Sequence, residues 1–120
     1  MLPLLKRMFR KSQSIKLNVL IYEEDGEWIA HCLQMDIVAA NNNIDSVQDD
    51  IVDLIKAHVI FAFENDNIGN IFRSAPPEEW TKYLQSKNPH CDVRKITIPL
   101  TASDSNIQPN PLSEVEFCFT

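Results

Sequence analysis

The stretch that decides the fold is IKLNVLIYEEDGEWIAHCL, residues 15–33. Its first half alternates between apolar and polar positions, which is the period of a half-buried strand, with Ile15, Leu17, Val19 and Ile21 on one face. Asp25 and Gly26 both tolerate positive φ, so they predict a tight turn. Residues 28–33 then return as a second strand. The stretch therefore predicts a β-hairpin.

A third strand and a long helix are expected after the hairpin. Residues 36–40, DIVAA, form this third strand or continue the second strand after a kink, and three asparagines end the segment. A helix should begin at Asp45, whose carboxylate would accept backbone N–H groups, with Gln48 as its capping-box partner. Apolar residues then recur at helical spacing up to about Ala62. Three further apolar residues fall off this stripe and predict a covered or self-associating helix end: Ile60, Phe61 and Phe63.

The remaining segments are shorter. Residues 76–84, PPEEWTKYL, predict a second helix, because proline and glutamate suit a first turn. Its buried side would carry Trp80, Tyr83 and Leu84. Residues 87–91 are expected to be a loop. Two strands are expected beyond it, from the alternation of Ile96, Ile98 and Leu100 and of Val115, Phe117 and Phe119.

Length and charge limit the class of protein. The 120 residues suffice for one domain, and the formal net charge of −6 argues against a nucleic-acid-binding surface spread over the chain. The same charge suits a basic protein partner. The segment 1–14 is basic and apolar, but it lacks the h-region of a signal peptide, and no apolar run approaches the ~20 residues of a membrane span. We therefore expect a cytoplasmic protein without membrane contact.

The cysteines and histidines offer little chemistry. Three cysteines without CxxC spacing do not make a disulfide framework, so reduced thiols are expected. His31 and Cys32 adjoin in a strand and point to opposite faces, so they cannot readily hold one metal ion, and His90–Cys91 is a similar pair. His58 lies on the apolar stripe of the helix, where a bond to a backbone group is the better account. We expect no metal, no cofactor and no enzymatic activity.

A family resemblance rests on three segments: residues 24–39 (EDGEWIAHCLQMDIVA), residues 45–51 (DSVQDDI) and residues 75–80 (APPEEW). In their pattern and order they resemble the HicB-like antitoxin family. The chain departs from the family pattern before the helix, where Asn42 and Asn43 replace a glycine, and at Gln48 and Asp49, which replace a Glu-Ala pair. The helices of the C-terminal DNA-binding domain that many members carry have no counterpart, which puts direct DNA binding in doubt.

The resemblance implies a three-stranded antiparallel sheet with one long helix packed on a face. Together with the short second helix and the β-rich C-terminal extension that the residue pattern predicts, the expected fold class is α+β. The division would be an N-terminal segment 1–14, a HicB-like domain 15–86 and an extension 87–120 with two strands. Family members bind and block a small basic ribonuclease (HicA-like) and commonly self-associate.

Three functions follow as hypotheses. The leading one is a HicB-like module that binds such a ribonuclease through the acidic hairpin residues and one aromatic neighbour: Glu23, Glu24, Asp25, Glu27 and Trp28. The second is a homo-oligomeric scaffold without a toxin partner, assembled through Ile60, Phe61 and Phe63. The third is a small metal-dependent hydrolase using His31, His58 or the acidic cluster of Asp45, Asp49, Asp50 and Asp53.

Overall fold

A computed structural model of the chain describes residues 15–86, 90–98 and 112–119; the segment 1–14 and Leu100 lie outside them. The chain folds as α+β. The elements are β1 (Ile15–Glu24), β2 (Glu27–Cys32), β3 (Ile37–Asn41), α1 (Ile44–Glu64), a 3₁₀ turn (Ile68–Asn70), α2 (Pro77–Ser86), β4 (Cys91–Thr97) and β5 (Leu112–Phe119). No helix among these residues is long and apolar enough to cross a bilayer.

The predicted hairpin is confirmed. Asp25 (φ 53°) and Gly26 (φ 83°) both take the positive φ that the turn requires. β1 and β2 run antiparallel, with Val19 opposite Cys32 and Leu20 opposite His31, and β3 adds antiparallel to β2. These three strands are the expected antiparallel meander.

The sheet is larger than expected, because it has five strands in the order β3-β2-β1-β5-β4. β5 pairs parallel to β1, and β4 pairs antiparallel to β5, so the sheet is mixed. The C-terminal strands therefore extend the meander instead of leaving β1 at an edge. The physical reason is that β1 is apolar on both faces at its centre: Val19, Leu20 and Ile21 are all fully buried, as in an interior strand.

α1 covers one face of the sheet and closes the main core. Its buried positions are Val47, Ile51, Val52, Ile55, Val59 and Ala62. Opposite them lie the inward residues of all five strands, among them Leu17 and Phe117. Of the three residues expected to self-associate, Ile60 and Phe63 are partly buried against this core, while Phe61 is 62% exposed. Only Phe61 of the three is therefore a largely exposed side chain.

The prediction that α1 begins at Asp45, with Asp45 as its cap, is wrong: the helix begins at Ile44. The N-cap is Asn43, whose Oδ1 accepts from the backbone N of Asp45 and of Ser46, each at 2.9 Å. Gln48 donates to the carbonyl oxygen of Ile44 and forms no capping box. Asn43 takes extended backbone angles, which an N-cap needs, and its amide oxygen performs the task expected of Asp45.

α2 packs on the opposite face and closes a second, smaller core. This core contains Leu20, Leu33, Ala75, Tyr83 and Cys118, with Trp80 partly buried beside them. Leu84 was expected on the buried side of α2, but it is 69% exposed. Tyr83 faces the sheet, and the next residue of a helix lies about 100° further around the axis, which places Leu84 toward solvent.

The expectation of three reduced thiols is wrong for two of them. Cys91 and Cys118 form a disulfide, with their Cα atoms 4.2 Å apart, and only Cys32 is a free thiol. β4 begins at Cys91 rather than near residue 95, and it places Cys91 directly opposite Cys118 of β5. Spacing along the chain gives no sign of a pairing that the sheet register creates.

Candidate functional site

The tip of the β1–β2 hairpin carries four carboxylates. Glu23, Glu24, Asp25 and Glu27 are all exposed. Glu24 lies directly opposite Glu27 in the register of the hairpin. Like charges at opposed positions destabilise a sheet, so the pair is not explained by strand pairing. The tip is a concentrated negative charge held on a rigid hairpin.

Trp28 differs from its four acidic neighbours. It is partly buried and packs against the main core on the side of α1. Its register partner is Glu23, so both side chains lie on the same face of the hairpin. Trp28 therefore anchors the tip to the core, and only a part of its ring surface is open to a partner.

Two residues that the sequence pattern did not single out join the tip from the opposite face. Tyr22 lies on the same strand face as Glu24, and α2 brings Glu79 beside it. Burial raises the pKa of the Tyr22 hydroxyl, and the negative charges of Glu79 and then Glu24 raise it further. Lys82 partly balances the negative charge of Glu79. Its Nζ lies 3.6 Å from Glu79 Oε1 and 5.0 Å from the centre of the Tyr22 ring.

Glu79 has spare hydrogen-bonding capacity. Its Oε2 is buried and accepts no hydrogen bond from any described residue. A buried carboxylate oxygen without a donor costs free energy unless a partner supplies one. We call Glu23, Glu24, Asp25, Glu27 and Glu79 the acidic patch. Chemically, this patch can accept hydrogen bonds from lysine or arginine side chains.

His31 contacts Asp36, and its side chain lies on the opposite face of β2 from that of Cys32. It is buried, and its Nε2 lies 2.6 Å from Oδ1 of Asp36. Cys32 points to the opposite face, into the main core, where burial raises the pKa of its thiol to about 12. The geometry thus separates the two side chains, as expected from their adjacent positions in a strand.

Three of the other candidate catalytic residues, His58, Asp49 and Asp50, have structural partners. His58 Nε2 lies 2.9 Å from the carbonyl oxygen of Ile71, which confirms a histidine bonded to backbone. Asp49 pairs with Arg94 Nη1 at 2.9 Å, and Asp50 accepts from Asn41 Nδ2 at 2.9 Å. Within residues 15–86, 90–98 and 112–119, no group of three or more metal-ligating side chains could hold an ion.

A polar network fixes α2 to the sheet. Asn18 Nδ2 donates to the Tyr83 hydroxyl at 2.6 Å, and that hydroxyl donates to Glu116 Oε1. Gln34 bonds both the backbone and the side chain of Asn18. Burial, followed by the bond to Glu116, raises the pKa of the Tyr83 hydroxyl.

A pocket of about 110 Å³ adjoins this network. Its lining residues are Lys16, Asn18, Val93, Glu114 and Glu116. The volume is well below the ~300 Å³ at which small-molecule sites begin. The network joins Tyr83 of α2 to Asn18 of β1 and Glu116 of β5, and so it positions α2 and Glu79 against the sheet.

Cys32 should make the protein sensitive to base. The thiol keeps its proton in the folded state up to about pH 12, whereas its ordinary pKa is 9.0. Below pH 9 the thiol is protonated in both the folded and the unfolded chain, and its burial contributes fully to stability. As the pH rises from 9 toward 12, the thiol ionises in the unfolded chain only, and this contribution is lost. Between pH 8 and pH 10.5 the free energy of unfolding should fall by about 2 kcal/mol from this group alone.

Urea unfolding at both pH values tests this expectation. The variant Cys32→Ala should lose about 2 kcal/mol less over the same pH interval, because it has no thiol to ionise in the unfolded chain. Equal losses in both proteins would show that other groups cause the sensitivity.

Comparison with known proteins gives no relative: no protein-family model, no curated protein and no solved structure matches this chain.

Proposed function

We propose that this chain is a HicB-like protein-binding module that binds and blocks a small basic ribonuclease through its acidic patch. The single observation that carries the proposal is the patch itself. Four exposed carboxylates lie together at the hairpin tip, and the negative charge of Glu79 acts on Tyr22 together with that of Glu24.

Charge supports a basic partner. The chain carries a formal net charge of −6, and such a field steers a cationic protein toward it. Asp25 and Gly26 occupy the backbone conformation that a two-residue turn needs, so the tip is preorganised by its turn residues. Little conformational entropy would then be lost at the tip on binding.

Aromatic surface supports a protein rather than a small ion as the partner. Tyr22 and Trp28 are both partly buried and lie on opposite faces of the hairpin beneath the carboxylates. Tyrosine and tryptophan are enriched at the centres of protein interfaces, whereas charged groups are typical of the rim. Blocking a ribonuclease requires that the patch cover the basic groups with which such an enzyme binds RNA phosphates.

Charge reversal at the tip tests the proposal. The tagged chain is incubated with a lysate of its native host, washed at rising salt, and the retained proteins are identified by mass spectrometry. We expect a small basic protein that salt releases, and Glu24→Lys/Glu27→Lys should weaken its retention by about 10-fold or more. The released protein should cleave RNA, and adding the chain back should inhibit cleavage.

The matched control reverses two carboxylates elsewhere. Asp53→Lys/Asp92→Lys changes the net charge by the same amount on α1 and β4, where both residues are exposed. This control should retain the partner. Equal loss of the partner from both double variants would show that overall charge, and not the acidic patch, causes the retention. If the tagged chain is recovered without any other protein, a ribonuclease partner is refuted.

A further inference from the structure

Three apolar side chains lie at the surface on the face of the sheet that carries α2. Tyr22, which Lys82 of α2 contacts, is the register partner of Ile29, and Ile29 is the register partner of Ala40. Val38 lies two residues before Ala40 and therefore shares this face. Val38 is 51% exposed, Ala40 is exposed and Ile29 is partly buried. Neither of the two cores that the described residues form includes these three, which we call the apolar strip.

Carboxylates border the apolar strip at both ends. Glu24 and Glu27 are register partners at the hairpin tip, and they share the face of the strip because Glu27 stands two residues before its first member. At the other end, Asp36 stands two residues before Val38, and its Oδ1 lies 2.6 Å from Nε2 of His31 on the same face. An apolar centre between negative charges suits an occupant that combines apolar and basic side chains.

The segment 1–14 of the chain has this composition. Its sequence, MLPLLKRMFRKSQS, alternates two apolar pairs with two basic pairs: Leu4-Leu5, Lys6-Arg7, Met8-Phe9 and Arg10-Lys11. It contains four basic residues and no acidic one, which gives its side chains a formal charge of +4. Since the whole chain carries −6, residues 15–120 carry −10. Opposite charge therefore attracts the segment to the rest of its own chain.

The segment is also long enough to reach the apolar strip. It joins β1 at Ile15. Val38 lies in the register row of Leu20, two strands away, which places it about 17 Å further along the sheet and about 10 Å across it. The straight path is therefore about 20 Å, whereas the ten residue steps from Leu5 to Ile15 span up to about 33 Å when extended.

We propose that segment 1–14 docks on the apolar strip of its own chain. Its apolar pairs lie on the strip, and its long basic side chains reach past this contact to the carboxylates at the two borders. Because the segment is tethered, its effective concentration at the strip is on the order of millimolar, which favours it over a second copy or a free basic protein.

The docked segment controls access to the hairpin tip. A basic partner of the acidic patch has to displace the segment from Glu24 and Glu27, so the segment competes with any such partner. The docking itself does not depend on the partner proposed above, because the occupant belongs to this chain.

Zero-length cross-linking with a carbodiimide tests the proposal on the full chain, because it joins an amine only to a carboxylate in contact with it. After digestion and mass spectrometry, we expect Lys6 or Lys11 to be joined to Glu24, Glu27 or Asp36. The reaction is run on an equal mixture of ¹⁵N-labelled and unlabelled chain, and the cross-linked peptides should pair within one isotope. Mixed isotope pairs would assign the strip to a second copy and overturn the proposal.

Matched variants separate docking on the strip from attraction by charge alone. Val38→Lys should lower the yield of these cross-links by about 5-fold or more, because it places a cation beneath a basic segment. Val93→Lys adds the same charge to β4, where Val93 is 57% exposed, and should leave the yield unchanged. Leu5→Ser/Phe9→Ser keeps every charge but removes apolar contact, and it should lower the yield by a similar factor.

Methyl NMR provides the second measurement. Leu5→Ser/Phe9→Ser should shift the methyl resonances of Ile29 and Val38 and leave those of Val93 unchanged, while circular dichroism confirms that each variant is folded. Cross-links of Lys6 and Lys11 only to Glu114 and Glu116 would place the segment elsewhere on the sheet. That result, no cross-link at all, or a yield that Val38→Lys and Leu5→Ser/Phe9→Ser leave unchanged would each overturn the proposal.

Discussion

Replacing Phe117 with alanine should lower the free energy of unfolding by about 4 kcal/mol. Phe117 is 1% exposed and belongs to the main core under α1. It lies on β5, directly opposite Val19 of β1 and Asp92 of β4. The substitution removes a large apolar side chain at the junction of three strands, and close-packed neighbours cannot collapse fully into the space.

Urea unfolding followed by far-UV circular dichroism measures this loss. Leu84→Ala is the control, because the side chain of Leu84 is 69% exposed. This substitution should change the free energy of unfolding by about 0.5 kcal/mol or less. A loss of the same small size for Phe117→Ala would show that the C-terminal strand does not belong to the cooperative core.

Reduction of the Cys91–Cys118 disulfide should lower the free energy of unfolding by about 3.5 kcal/mol. The two cysteines are 27 residues apart in sequence, and closing a loop of this length restricts the unfolded chain by about that amount. Cys118 is also fully buried in the second core, so the bridge joins β4 to the packing beneath α2. Disulfides persist in oxidising compartments, so reducing surroundings would leave the chain less stable.

Unfolding with and without a dithiol reductant measures this difference. The Cys32→Ala background removes the free thiol and therefore prevents exchange with the bridge. Cys91→Ala/Cys118→Ala in the same background should match the reduced protein and no longer respond to reductant. Three titratable thiols in the denatured, unreduced wild-type chain would contradict the bridge.

Local patterns predicted most of the elements. Alternation along residues 15–21, the Asp25-Gly26 turn and the helical period after Val47 each depend on neighbours within a few residues, and the structure confirms them. The cap of α1 was assigned to the wrong residue, because Asn43 and Asp45 both supply a side-chain oxygen and only the backbone angles distinguish them.

The candidate site was predictable in part. The four carboxylates of the hairpin tip are adjacent in sequence, so the chain alone brings them together. Glu79 is more than fifty residues away, and it joins the acidic patch only because Tyr83 and the second core hold α2 against β1. The exposure of Phe61 is also set by packing, since Ile60 and Phe63 have the same apolar character and are partly buried.

The sequence by itself determined the hairpin, the long helix and the acidic tip, because each follows from contacts between near neighbours in the chain. Only the tertiary structure decided that β5 lies parallel to β1, that Cys91 meets Cys118, and that β3 is the last strand of the described sheet on its side. These features depend on pairing between segments far apart in sequence. The choice among such pairings is made by burial of both faces of β1, which no local period encodes.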